Sequence, residues 1–232
     1  MNNTIGLIMC TWKRVDYFKK TLKLLCKQTN KNFIFYVVNN NINIKNKINL
    51  VAGQYRNKLS IVVIHNNINR GGFGRFEVAK TLVDKHEIII FIDDDQIFTN
   101  EMIDIFYKNY ESNAIKSRWA FRFDNSYCYR ERVIEQDKCV DYCGTGGMVL
   151  PSKIFLCKEL YEIPEKYFFI EDLWLCFVAN YYLDMKLKSI GNPDDFINQI
   201  TDGNDQTTIE RFYLKDEFLK YLRDIRGWAV KY

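Results

Sequence analysis

The chain has few of the residues that mark fibrous, zinc-stabilised or membrane-spanning proteins. Its 232 residues include 3 Pro and 11 Gly, too few for a fibrous or low-complexity protein. It has only 2 His, and none of its 7 Cys forms a C-x-x-C pair, so a structural zinc site is not expected. The N-terminus lacks the features of a signal peptide, and no apolar run reaches the length of a membrane span. We therefore expect no transmembrane segment, and peripheral membrane contact stays open.

The charge is also close to balanced. The net charge of +4 is not gathered into tracts, so the sequence lacks the clustered positive charge that is typical of nucleic-acid-binding proteins. Hydrophobic residues make up 47% of the chain and aromatic residues 16%, which is enough for a large core. No Pro-, Gly- or Ser-rich linker divides the chain, which predicts one α/β domain. Several cysteines lie in apolar runs, which favours core thiols in a reducing cytoplasm over a disulfide scaffold.

The first hundred residues alternate between two kinds of pattern. Short apolar runs that predict strands cover residues 4–10, 33–38, 60–64 and 87–92. Apolar residues at helical spacing follow the first and third runs, and a weaker helix is predicted near 48–57. This alternation predicts a mostly parallel sheet covered by helices on both faces. Ligands of such sheets bind at the carboxyl ends of the strands, so the residues just after each strand are the candidates for function.

The second half is less regular. Residues 116–123 and 127–142 alternate charged and aromatic side chains, as in antiparallel strands. A glycine-rich segment leads into a strand at 148–150, short helices are predicted over 151–161 and 171–183, and Thr207 with Glu210 forms a capping box for a last helix. The stretch 191–208 is polar and rich in turn residues, and we hypothesise that it is a mobile loop that closes over the site.

Three consecutive acids, Asp93, Asp94 and Asp95, end the fourth predicted strand. Like charges this close repel one another, and a bound divalent cation removes that cost. Asp93 and Asp95 share one face if the chain is extended there, and oxygen ligands suit Mg²⁺ or Mn²⁺. A solvated acidic turn is the alternative interpretation.

A glycine loop, residues 71–74, precedes a predicted helix and is flanked by Arg70 and Arg75. Backbone N–H groups and a helix N-terminus favour an anion at such a place. The loop matches neither G-x-G-x-x-G nor a P-loop, so an ordinary strand-to-helix connection is the alternative.

These features, in this order, resemble a family 2 glycosyltransferase with the GT-A fold. The resemblance covers roughly residues 4–190 and rests on six segments: Thr11-Trp12-Lys13-Arg14, the first helix and second strand (17–40), Asn69-Arg70-Gly71-Gly72, the D-x-D strand (91–95), Gly144–Leu150 and Phe169-Ile170-Glu171-Asp172. It implies a single domain over 1–232, with a nucleotide-sugar half (1–98), an acceptor half (99–190) and a loop with a C-terminal helix (191–232).

The resemblance also implies an activity: metal-dependent, inverting transfer of a sugar from a nucleotide-diphosphate sugar, most commonly a UDP-sugar, to a hydroxyl of a glycan or glycoprotein. Asp172 would be the catalytic base and Glu171 its supporting neighbour. The metal, Mn²⁺ or Mg²⁺, would be held by Asp95 and Asp93. The other implied contacts are, for the donor, Thr11, Trp12, Arg14, Asn39, Gly71, Gly72, Arg75, Asp93 and Asp94, and for the acceptor Gly146, Gly147 and Trp174.

Three departures from the family pattern bear on these roles. Asn39 stands where the family usually has an Asp that accepts a hydrogen bond from the N–H of the uracil ring. A donor with a nucleobase other than uracil is therefore an open alternative. Lys13 replaces the usual Asn, and no histidine follows Asp172 as a late metal ligand. Trp119, Tyr127 and Tyr129 are further candidates for stacking on sugars, with ordinary aromatic packing as the alternative.

Two other functions compete with this interpretation. A sugar-nucleotide nucleotidyltransferase would need a glycine-rich loop after the first strand, and residues 11–14 contain no glycine. A non-catalytic glycan-binding or scaffold protein could retain the fold, and the intact acid triplet and Glu171-Asp172 pair argue against it.

Overall fold

A computed structural model describes residues 4–200 and 209–229. The strands are β1 (Ile5–Thr11), β2 (Phe33–Asn39), β3 (Ile61–His65), β4 (Ile88–Asp93), β5 (Gln96–Phe98), β6 (Ala114–Ser117), β7 (Ala120–Phe123), β8 (Arg130–Arg132), β9 (Tyr142–Cys143), β10 (Met148–Pro151), β11 (Lys186–Ser189) and β12 (Ile197–Gln199). The α-helices are α1 (Val15–Leu25), α2 (Lys45–Gly53), α3 (Gly74–Lys80), α4 (Met102–Asn109), α5 (Glu171–Tyr181) and α6 (Ile209–Asp224).

A seven-stranded sheet carries the fold, with the strand order β11-β6-β10-β4-β1-β2-β3. The pairs β1–β2, β2–β3, β1–β4 and β6–β11 are parallel, and β10 runs antiparallel to both of its neighbours. A smaller antiparallel sheet has the order β8-β7-β9. The predicted fold class, a mostly parallel sheet flanked by helices with a small antiparallel section, is confirmed.

Alternate residues of each buried strand face two different cores. In β4, Ile89 and Phe91 pack on one side, and Ile88, Ile90 and Ile92 pack on the other. Helices α3, α5 and α6 cover the first side, and α1, α2 and α4 cover the second. Because both faces are covered, the strands are apolar almost throughout, which is why they read as continuous apolar runs.

The register brings the carboxyl ends of four strands to one edge. Thr11 of β1 lies opposite Asn39 of β2, which lies opposite His65 of β3, and Cys10 lies opposite Asp93 of β4. The glycine-rich segment before β10 reaches the same edge, since β10 is antiparallel and Met148 pairs with Phe91. Polar residues that are distant in sequence therefore meet at this edge.

Several local predictions need correction. The segment 71–74 is not a flexible loop: Gly71–Phe73 forms a 3-10 turn and Gly74 begins α3. Residues 151–161 form two 3-10 turns rather than one helix, and α4 was not predicted. Within the polar stretch 191–208, Pro193–Asp195 forms a 3-10 turn and β12 pairs with β5, so this part has more regular structure than the sequence indicated. The closure of this stretch over the site stays a prediction. Residues 201–208, including Thr207 of the capping box, lie outside the described residues.

Phe218 anchors α6 to the rest of the fold. Its ring is fully buried and stacks on the Tyr167 ring with a centroid distance of 4.0 Å. The Trp174 ring also stacks on Phe218. Phe218→Ala should therefore lower the free energy of unfolding by about 3–5 kcal/mol. Tyr213→Ala, on an exposed position of the same helix, should change it by less than about 0.5 kcal/mol. Urea unfolding measures both, and equal effects would contradict the packing described here.

Candidate active site

A cavity of about 610 Å³ opens at the carboxyl edge of the sheet. Most of the residues that the sequence singled out line it, namely Thr11, Trp12, Arg14, Gly71, Gly72, Arg75, Asp93, Asp94, Asp95, Gly146, Glu171 and Asp172. One end is acidic and arginine-rich. The other is aromatic, with Trp119, Phe121, Tyr127, Tyr142 and Phe212.

Arg14 forms ion pairs with Asp94 and Asp95, the two acids that follow β4. Its Nη1 lies 2.6 Å from Oδ2 of Asp95 and 3.3 Å from Oδ1 of Asp94. Asp94 also accepts a hydrogen bond of 2.9 Å from the Thr11 hydroxyl, and Asp95 one of 3.1 Å from the Gln199 amide. Burial raises the pKa of Asp94 to about 6, and burial together with repulsion from Asp93 raises that of Asp95.

Arg75 holds the third acid. Its Nη2 lies 3.0 Å from Oδ1 of Asp93, and the arginine side chain is buried beneath the cavity. Burial alone would lower the pKa of Arg75, but the charges of Asp93, Cys10 and Glu171 and the hydrogen bond to Asp93 together raise it. Gly146 lies against Asp93, and a Cβ at Gly146 would overlap the Asp93 carboxylate. The glycine therefore lets the backbone approach this acid closely.

Glu171 and Asp172 occupy the first turn of α5, as predicted. The Glu171 carboxylate lies against the backbone of Gly72, where a Cβ would overlap its Oε1. Burial raises the pKa of Glu171 to about 7, with a further contribution from the neighbouring Asp172 charge and an opposing one from Arg75.

Asp172 faces a different set of partners. Its Oδ2 accepts hydrogen bonds from Lys215 Nζ, at 2.6 Å, and from the Tyr142 hydroxyl. Its Oδ1 accepts one of 2.8 Å from the backbone N–H of Leu173. Burial by itself would raise the pKa of Asp172, but the Lys215 charge and these hydrogen bonds lower it on balance.

Three predicted contact residues lie elsewhere. Trp174 is fully buried in the core, where its indole N–H donates to the Leu160 carbonyl, so it offers no face to an acceptor. Asn39 is buried, and its amide is bonded to the backbone of Asn41 and to His65; the next residue, Asn40, lines the cavity instead. Gly147 lies behind the cavity, against Arg118.

Sequence reasoning missed Lys215, Tyr142 and Gln199 as parts of this site. Lys215 lies in α6, 43 residues after Asp172, and Gln199 lies 104 residues after Asp95. No local motif marks them, because their role comes from long-range contacts. The only signal in the sequence was the concentration of tyrosine and phenylalanine between 119 and 142.

The acid end presents carboxylate oxygens, the ligand type that Mg²⁺ and Mn²⁺ prefer. Asp95 Oδ1 is buried without a hydrogen-bond partner, and the Asp93 side chain is 35% exposed toward the cavity. Within residues 4–200 and 209–229, no group of three or more His, Cys, Asp or Glu side chains is arranged to hold a metal ion. A cation here would therefore be held by two carboxylates and complete its shell with phosphate and water oxygens.

The fold is that of the GT-A glycosyltransferases. The sequence profile described as "Glycosyl transferase family 2" matches residues 7–155, more than half of the chain. The chain belongs to glycosyl transferase family 2. A search of curated protein sequences found no match.

Solved structures with the same fold include Staphylococcus aureus TarS and GalNAc-T7. TarS residues 1–349 in complex with UDP are 17% identical, with a TM-score of 0.60 over 97% of this chain and 73% of that one. GalNAc-T7 with UDP, GalNAc and Mn²⁺ is 10% identical, with a TM-score of 0.68 over 97% of this chain and 50% of that one. The chain spans 44% of the longer TarS structure. At these identities the likeness shows the fold.

Within the described residues, no helix combines the length and the apolar character needed to cross a bilayer. All 7 Cys, each of them described, are free thiols.

The contact between Gly72 and Glu171 gives a test of this geometry. Gly72→Ala should lower the free energy of unfolding by about 1–3 kcal/mol, because the new methyl group overlaps the Glu171 carboxylate. Gly53→Ala is the matched control: nothing lies within 4 Å of the new Cβ, and alanine should stabilise α2 by up to about 1 kcal/mol. Urea unfolding measures both. When Glu171→Ala is already present, Gly72→Ala should lower the free energy of unfolding by less than it does in the wild type. If the effects of the two single variants simply added in the double variant, the contact would be refuted.

Proposed function

We propose that this chain is a metal-dependent, inverting glycosyltransferase that moves a sugar from a UDP-sugar to a hydroxyl of a glycan or glycoprotein acceptor. The observation that carries the proposal is the meeting, in one cavity, of the Asp93–Asp95 acids, two arginines and the Glu171-Asp172 pair. Structures of related fold support the donor, since TarS was solved with UDP and with UDP-GlcNAc, and GalNAc-T7 with UDP, GalNAc and Mn²⁺.

The acid end would bind the donor diphosphate. Negative charge grows on the diphosphate as the bond to the sugar breaks, and Arg14 and Arg75 line the cavity where that charge would develop. Asp93 and Asp95 would hold Mn²⁺ or Mg²⁺, which when bound supplies Lewis-acid neutralisation of the leaving group. Thr11, Trp12, Gly71 and Gly72 line the same end and would surround the nucleotide and its phosphates.

Asp172 would remove the proton from the acceptor hydroxyl. It lies in the cavity beside the aromatic end, and its lowered pKa keeps it ionised and able to accept a proton near neutral pH. The proton passes from the acceptor oxygen to Asp172 while that oxygen attacks the sugar from the face opposite the diphosphate. Gly146 would allow close approach of the acceptor, and Trp119 and Tyr127 would offer ring faces to a sugar.

The organisation of the chain is part of the proposal. We infer that residues 1–232 work as one GT-A domain with donor, acceptor and C-terminal parts bounded at 98 and 190. The free thiols favour a reducing, cytoplasmic location.

The role of Asp95 is tested by the response of the protein to donor and metal. UDP-GlcNAc and UDP should raise the thermal midpoint of the wild type, and Mn²⁺ should raise it further, because ligands that bind the native state stabilise it. Asp95→Asn should weaken Mn²⁺ binding at least about 10-fold, since even the loss of an outer-shell partner costs that much. Asp84→Asn, an exposed carboxylate, is the control. No shift with any nucleotide sugar would favour a scaffold protein.

The role of Asp172 is tested by separating binding from turnover. Asp172→Asn should retain the thermal shift with UDP-GlcNAc and Mn²⁺, because the acid end is unchanged. UDP release should fall by about 10²–10⁴-fold, the usual contribution of a general base. Near-normal turnover in this variant would rule out Asp172 as the base.

A further inference from the structure

We propose that Lys215 is a positioning residue that, together with Tyr142, holds the Asp172 carboxylate in one orientation and in its charged form. Lys215 lies in α6, outside every motif that identified the site. The proposal rests on the proposed function, in which Asp172 is the base.

The Lys215 ammonium has its donors fully engaged around Asp172. Nζ lies 2.6 Å from Oδ2 of Asp172, 3.1 Å from the Tyr142 hydroxyl and 3.2 Å from the Tyr127 hydroxyl. The Tyr142 hydroxyl in turn donates to the same Asp172 oxygen. A lysine has three N–H donors, so this arrangement uses all of them and leaves the side chain one orientation.

The three residues that follow Lys215 in α6 are held by contacts of their side chains. The next residue, Asp216, accepts a hydrogen bond of 2.6 Å from the Tyr127 backbone N–H. Glu217 accepts one of 2.6 Å from the Tyr167 hydroxyl, and Phe218 stacks on the Tyr167 ring. Unlike a lysine on a solvated face, Lys215 is thus held in place by its helix.

The electrostatic consequence follows from the groups that face Asp172. The titratable and charged groups around it are Glu171 and Cys176 on α5, Tyr142 on β9, Tyr127 between β7 and β8, and Lys215 on α6, with Arg75 acting through Glu171. Lys215 is the cation in direct contact, at 2.6 Å. Without it, burial and the Glu171 charge would both favour a protonated Asp172, which cannot accept a proton from an acceptor hydroxyl.

The deciding measurement is the titration of Asp172 itself in the unliganded protein. The side-chain carboxyl carbon is followed by NMR against pH, with Asp172→Asn used to identify its signal. Lys215→Met should raise the pKa of Asp172 by about 1–3 units, the usual effect of an opposite charge at this distance. Tyr142→Phe should raise it by less, and Lys215→Arg should keep it low. Lys166→Met is the matched control, because it removes an ion pair to Glu217 of the same helix but lies outside the cavity.

The second measurement is the pH profile of UDP release from UDP-GlcNAc with water as the acceptor. The acid limb of kcat/KM should move to higher pH in Lys215→Met, by the shift seen in the titration, and should stay in place in Lys166→Met. Equal Asp172 pKa values in the wild type and Lys215→Met would overturn the proposal, even if the variant were less stable. If Lys215→Met does not fold, Tyr142→Phe decides, and an Asp172 pKa in that variant equal to the wild-type pKa would overturn the proposal. If the wild type released no UDP, the proposed function would fail while the titration still decided the role of Lys215.

Discussion

The structure depends on keeping several carboxylates charged and close together at the edge of a sheet. Asp93, Asp94, Asp95, Glu171 and Asp172 all line one cavity, where burial penalises each charge. Arg14, Arg75 and Lys215 each contact one or two of these acids directly. Within residues 4–200 and 209–229 Glu171 forms no ion pair, and burial raises its pKa to about 7. Burial also keeps the pKa values of Asp94 and Asp95 raised although both contact Arg14, whereas the pKa of Asp172 beside Lys215 is lowered. Burial and the positions of the cations together therefore determine which acids stay ionised.

The parts of this arrangement that could be predicted are those with a local cause. The limits of β1 to β4 were predicted to within one residue, because these strands are covered on both faces and therefore apolar. The Asp93–Asp95 group was found because it follows directly on a predicted strand, and the Glu171-Asp172 pair was indicated by the resemblance to the family. Parallel strands end at the same edge, and that rule was sufficient to bring Thr11, Arg14 and the acids together.

The parts that could not be predicted depend on which way a side chain points or on distant contacts. Asn39 ends β2 with its side chain buried against His65, and the next residue, Asn40, lines the cavity instead. Trp174 lies on a helix that is buried on nearly every side, so no polar face indicated its orientation. Lys215 reaches Asp172 from a helix 43 residues further along the chain. Sequence spacing carries no information on a contact of that kind.

The pairing of acids with arginines also constrains how the proposed donor can bind. A diphosphate that enters the cavity competes with Asp94, Asp95 and Asp93 for Arg14 and Arg75. If the arginines turned to the phosphates, adjacent buried carboxylates would be left with uncompensated charge, which is costly. A divalent cation held by Asp93 and Asp95 would remove that cost, because its charge would compensate the acids and the phosphates together. Donor and cation binding should therefore be coupled, and by linkage each must strengthen the other by the same factor.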